Sequence, residues 1–163
     1  MYIQQSDLFK GMSRDFLAKV MEITTKETHE AGDILFEAGD QARYSYVLLS
    51  GRVKIAVRET GHTVFVVDEA GEAFGWSSLI ERERYAALAE CKEKTRLLKM
   101  NREKFLGLLE KDPANGYLFY RCLARILGNR LLEAYRQISG VASGEISNSF
   151  GTGQVQESER TLA

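Results

Sequence analysis

The 163-residue chain has only two histidines, two cysteines, one proline and one tryptophan, and each scarcity closes off a class of function. Cys91 and Cys122 are too few for a disulfide framework, so free thiols in a reducing compartment are expected. His29 and His62 stand apart, with no His-x-His pair to hold a catalytic metal and poor support for an axially ligated haem. The Ser and Cys residues show no base-plus-orienter arrangement that would make one of them a nucleophile. The expectation is therefore a non-enzyme without a metal. Long apolar runs are also lacking, so no segment reaches membrane-spanning length. The N-terminus, MYIQQSDLFKGM, lacks the basic start and apolar core of a signal peptide. A cytoplasmic location is expected. A net charge of -1 lacks the basic footprint of a dedicated nucleic-acid binder.

What is present is ordinary globular material, with 44% hydrophobic and 28% charged residues, enough for one domain with an added helical arm. Ser13 is placed to cap a helix over RDFLAKVMEI, where Phe16, Leu17, Val20 and Met21 recur at helical spacing. From about residue 24 to 101 the pattern changes to short β runs: THE, ILFE, YSYVLLS, RVKIAVRE, TVFVVDE, YAALAE and TRLLKM. Turn residues punctuate them at Gly32-Asp33, Gly39-Asp40, Gly51 and Gly61. Short strands at this spacing predict an all-β sandwich or roll, and Gly51, between two strong runs, suits a tight turn with positive φ.

Asn101 then caps a second helix, REKFLGLLEK, with Glu103 near its positive end. Asp112-Pro113 ends it, and proline suits the first turn of a long helix over about 113–138. In that helix Tyr120, Ala124, Leu127, Leu131, Ala134 and Ile138 alternate spacings of four and three, a heptad seam. Beside it runs a stripe of Phe119, Leu123 and Ile126. Either one stripe packs on the roll and the other on a partner copy, or both form one wide stripe on a single core. The alanines of the seam, with Gly128 alongside, favour close helix approach and hence a homodimer. Residues 139–163 are rich in Gly and Ser without apolar period and read as a flexible tail, too poor in apolar residues for a helix-turn-helix. The organisation expected is one domain over 1–138 followed by that tail.

The stretch AGEAFGWSSLIERERYAALAE carries the site chemistry. A helical turn presents unpaired N–H groups that favour an anion. Gly75 permits close backbone approach, and Ser77 and Ser78 add hydroxyls. Arg84 offers a planar fork for two phosphate oxygens, above a strand of small side chains. By composition alone such a stretch is usually just a turn with a solvated arginine.

The segments GEAFGWSSL and RYAALAE resemble the phosphate-binding cassette of cyclic nucleotide-binding domains, as found in the catabolite gene activator family and protein kinase A regulatory subunits. AGDILFEAGDQARYSYVLLSGRVKI is similar to that family's first β-roll half, and LFKGMSRDFLAKV to its N-terminal helical segment. The resemblance covers about residues 6–138. It implies an antiparallel β-roll of jelly-roll type with flanking helices and a long C-terminal helix. It also implies a regulatory module that senses a small anion, cAMP, cGMP or another, and signals through its dimer helix to an output protein.

By the same resemblance Gly75 opens the cassette turn. Ser77 and Ser78 face the cyclic phosphate, Arg84 rather than Arg82 pairs with it, and Ala86 is the small residue that follows. Tyr85 replaces a small residue, its hydroxyl donating to the ligand or its bulk crowding the site. Trp76 stands where the family has a ribose-binding glutamate. It removes that contact, and Glu72, earlier in the chain, is no substitute. The indole then stacks on a flat ligand or fills the vacated volume. Asn129 and Arg130 of the long helix are the candidates to cover the base. A ligand-free structural or interaction module, its pocket plugged by Trp76, is the alternative.

Overall fold

The computed structural model describes residues 2–57 and 63–141. Backbone contacts divide the chain into two compact units, Met1–Ile126 and Leu127–Ala163. The first holds every strand among the described residues.

Its helices begin and end where side-chain chemistry dictates. α1 (Arg14–Glu22) is capped by Ser13, whose Oγ accepts from the Phe16 amide at 3.2 Å. Its Phe16, Leu17 and Val20 are buried. α2 (Arg102–Lys111) is capped by Asn101, whose Oδ1 accepts from the Lys104 amide at 3.1 Å. Asp112 closes it, and Pro113 opens α3 (Pro113–Val141), which crosses from the first unit into the second. Asn115 ties these starts together. Its Oδ1 accepts from the Ser13 amide at 3.0 Å, and its Nδ2 donates to Asp112 Oδ2 at 2.8 Å. Phe9, Phe105 and Phe119 pack at centroid separations of 4.7–6.1 Å to form the apolar centre of the helical layer.

Among the described residues eight strands make two antiparallel four-stranded sheets. The first joins β1 (Thr24–His29), β8 (Thr95–Asn101), β3 (Tyr44–Ser50) and β6 (Ala73–Phe74), in that spatial order. The second joins β2 (Ile34–Phe36), β7 (Leu88–Cys91), β4 (Val53–Ala56) and β5 (Thr63–Val67). Side chains alternate between faces along a strand, so YSYVLLS sends Tyr46 and Leu48 into the roll. In register, Leu48 lies opposite Leu97 of β8. Val53, Val67, Phe74, Ala89 and Cys91 complete this core from the other strands. The fold is thus the expected antiparallel β-roll with flanking helices.

Gly51 joins β3 to β4 at φ +100°, and a Cβ there would meet Thr95 Oγ1 at 2.6 Å and the Lys94 carbonyl at 2.7 Å. Two elements differ from expectation. The two-residue β6 was not foreseen, being too short for any period to register. The strand expected from Tyr85 starts at Leu88, because Tyr85 pairs instead with the Gly39-Asp40 turn. Its amide donates to the Asp40 carbonyl, and its carbonyl accepts from the Gly39 amide, both at 2.9 Å. The tail expected over 139–163 lies almost wholly outside the described residues, as do Gly61 and His62. Among the described residues no helix is long and apolar enough to cross a membrane.

Candidate functional site

The cassette begins at the end of β6. Gly75 adopts the left-handed conformation, φ +71°, and opens a single 3₁₀ turn, Trp76–Leu79. The conformation and the space both call for glycine, since a Cβ would stand 3.1 Å from the Tyr46 ring and 3.2 Å from the Tyr44 carbonyl. Ser77 and Ser78 are buried, and Trp76 is half-buried. The Ser78 hydroxyl donates to the Gly75 carbonyl at 3.0 Å, and the Ser77 carbonyl accepts from the Arg82 amide at 3.2 Å. Glu72 holds the preceding turn, its Oε2 accepting from the amides of Asp68 and Glu69 at 3.1 and 3.0 Å. Its carboxylate is committed there.

After this turn the chain runs back across the β2–β3 connection, and consecutive side chains part company. Arg84 bridges to Gln41, is exposed, and donates from Nη1 to the Gly39 carbonyl at 2.6 Å. Tyr85 goes inward. Its ring stacks on Phe36 at 3.8 Å between centroids and 13° between planes. Its hydroxyl donates to the Tyr44 carbonyl at 2.5 Å and accepts from the Tyr44 amide at 3.1 Å. Phe36, Tyr46 and Phe74 continue the aromatic packing, Tyr46 lying 5.2 Å from Phe74 with nearly parallel rings. Burial pushes the Tyr85 phenol above its ordinary pKa, against the lowering effect of its Tyr44 bond. Burial does the same to Tyr46. Ala86 is exposed.

The structure therefore gathers Gly75, Ser77 and Ser78 in one buried turn, with Tyr85 packed into the roll and Arg84 on the outer surface. Asn129, exposed, and Arg130, half-buried, belong to the second unit. Two clefts open around Tyr44 and Asn101, the first of them bordering the cassette at Glu83 and Arg84. One, of about 740 Å³, is lined by Arg43, Tyr44, Arg84, Asn101 and Arg102 among others. The other, of about 210 Å³, is lined by Thr25, Glu27, Lys99 and Lys104 and shares Tyr44 and Asn101 with the first. Among the described residues no three His, Cys, Asp or Glu side chains stand together as a metal site.

The cyclic nucleotide-binding domain family matches residues 26–112, more than half of the chain. The chain belongs to that family. It is 28% identical over 145 residues to the Cyclic AMP receptor protein of Thermus thermophilus, covering 88% of this chain and 65% of the receptor. A cyclic nucleotide-binding domain from Methylobacillus flagellatus shares its fold with a TM-score of 0.75 at 22% identity, over 89% of this chain and 83% of that one. The regulatory domain of Toxoplasma gondii PKA, crystallised with cAMP, aligns at TM-score 0.61 and 25% identity, over 66% of this chain and 41% of that one. The chain thus spans less than two thirds of the receptor and of the PKA regulatory domain. Within a cyclic nucleotide-binding fold, the features missed in the sequence are the two hydrogen bonds between the Tyr85 hydroxyl and the Tyr44 backbone and the arginines that Arg84 joins. The recurrence of aromatics at positions 36, 44, 46, 74 and 85 was the available signal for the first. The second had none, because Arg43 and Arg102 are brought to Arg84 by strand pairing alone.

Proposed function

We propose that this chain is a small-ligand sensing module of cyclic nucleotide-binding type, taking an anion such as cAMP or cGMP and performing no catalysis of its own. The observation that carries the reading is the cassette turn. Left-handed Gly75 opens a buried Ser77-Ser78 turn in a chain whose residues 26–112 match the family. In this reading the amides of that turn and the Arg84 fork hold the phosphate. Arg84 must first release the Gly39 carbonyl, a single bond at an exposed position and therefore a small cost. Trp76 offers no carboxylate to a ribose, so the usual nucleotides bind weakly. Tyr85 supplies bulk where the family has a small residue, and both its hydroxyl bonds are used internally. Asn129 and Arg130 are the proposed cover for the base. α3 is the proposed dimer helix and output element, acting on a partner protein through whichever arrangement the ligand favours.

The stacking of Tyr85 on Phe36 favours a second reading, an interaction module whose roll is filled by its own aromatics. Calorimetry with cAMP, cGMP and inorganic phosphate separates the two. Under the sensor reading binding is measurable, is lost in Arg84→Ala and tightens in Trp76→Glu. Binding that survives Arg84→Ala unchanged means the site is elsewhere. No binding in the wild type, restored by Tyr85→Ser, supports the filled roll. Amide exchange over residues 113–138 that ignores a bound ligand defeats the coupling through α3.

A further inference from the structure

The two clefts adjoin, with Tyr44 and Asn101 common to both linings, and together they make a grooved tract of surface. Arg43, Arg84, Arg102, Lys99 and Lys104 line it, against the carboxylates of Glu83, Glu103 and Glu27. Glu27 is already held by Lys99 at 3.1 Å and His29 at 3.0 Å. In a chain of net charge -1, this is a local surplus of cations.

The three arginines are held in place by neutral acceptors. Arg43 donates from Nε to Gln41 Oε1 at 2.7 Å, Arg84 to the Gly39 carbonyl, and Arg102 to the Arg82 carbonyl at 2.7 Å. Backbone pairing fixes their spacing, since the Arg102 amide donates to the Arg43 carbonyl at 2.8 Å and Gln41 bridges Arg84. Among the described residues none of the three guanidiniums has a carboxylate within ion-pair distance, although Glu83 and Glu103 line the same groove. Oriented guanidiniums with most of their N–H groups still to satisfy are built for carboxylates or phosphates.

The groove's extent and mixed rim decide between these. A compact polyphosphate would bring its charge against Glu83 and Glu103. An extended peptide spaces its carboxylates at every second residue and reaches from Arg84 past Tyr44 to Lys104. We propose that this groove is a docking surface for an extended acidic segment of a partner protein. The tract overlaps the ligand reading above at Arg84, while Arg43, Arg102 and Lys104 lie outside the cassette.

The test uses the full chain and a fluorescein-labelled decapeptide alternating glutamate and serine, followed by fluorescence polarisation. Saturable, salt-sensitive binding is expected, weakened by at least about tenfold in Arg43→Ala/Arg102→Ala, since each lost charge-assisted contact is worth about that much. Arg43→Lys/Arg102→Lys keeps part of the affinity. Arg43 is exposed, so Arg43→Ala alone keeps the fold and carries part of the loss. Absence of binding overturns the proposal, as does equal affinity in the double alanine variant. Displacement of the peptide by pyrophosphate at lower concentration than by unlabelled peptide also overturns it, in favour of a phosphate site. Cyclic nucleotide calorimetry reads neither Arg43 nor Arg102, so failure there leaves this result standing.

Discussion

The Tyr85 hydroxyl satisfies both polar backbone groups of Tyr44, accepting from its amide and donating to its carbonyl. Tyr85→Phe keeps the stack on Phe36 but leaves that amide and carbonyl without their partner. It should destabilise the protein by about 1–3 kcal/mol, read as a lower urea midpoint at unchanged slope. The same residue sets an alkaline limit. Burial raises the Tyr85 phenol above its ordinary value of 10.0, and Tyr46 likewise. Below about pH 10 both are protonated whether folded or unfolded, and stability does not depend on them. Above it the unfolded chain loses these protons first, so stability falls as pH rises towards the folded-state values. Urea midpoints at about pH 9 and 11 should show this fall, and Tyr46→Phe should make it shallower.

At the scale of single elements, two glycines give opposite expectations. Gly51 holds φ +100° in the β3–β4 turn with no room for a Cβ against Thr95. Gly51→Ala should cost at least about 2 kcal/mol. Gly107 lies inside α2 with open space where its Cβ would stand, so Gly107→Ala should stabilise by about 0.5–1 kcal/mol. Thermal unfolding of the two variants checks both signs. The elements were legible in the sequence wherever a local rule governs them. Ser13 and Asn101 cap helices by their own side chains, Pro113 opens a helix by its fixed φ, and YSYVLLS spans β3 residue for residue. They were illegible where distant backbone decides. The stretch at Tyr85 reads as strand, yet its amide and carbonyl pair with the Gly39-Asp40 turn. The candidate site divides in the same way. Gly75 and the serine turn are local features, while the outward course of Arg84 and its company of Arg43 and Arg102 arise only when β3, the cassette and the start of α2 are brought side by side.

At the scale of the whole molecule, α3 presents Tyr117 and Tyr120 in the first unit, 66% and 46% exposed, and Leu131, Leu132 and Ile138 in the second, 49%, 54% and 44% exposed. Large apolar side chains repeated along one helix are costly to leave in water. The expectation is a dimer through this helix, with twice the chain mass by light scattering. Leu131→Glu/Ile138→Glu should return it to monomer mass without changing the β-rich circular dichroism. A monomeric wild type at high concentration would sink the expectation.

The two thiols of the first unit stand in opposite situations. Cys91, in β7, is wholly buried in the roll, and burial lifts its pKa; Cys122, in α3, is partly exposed. A thiol reagent therefore meets two clocks in one chain. Cys122 is reached without opening the roll, whereas Cys91 waits for the sheets to part. Anything that tightens the roll lengthens the second delay and leaves the first untouched, so occupancy of the roll becomes readable as a lag in labelling.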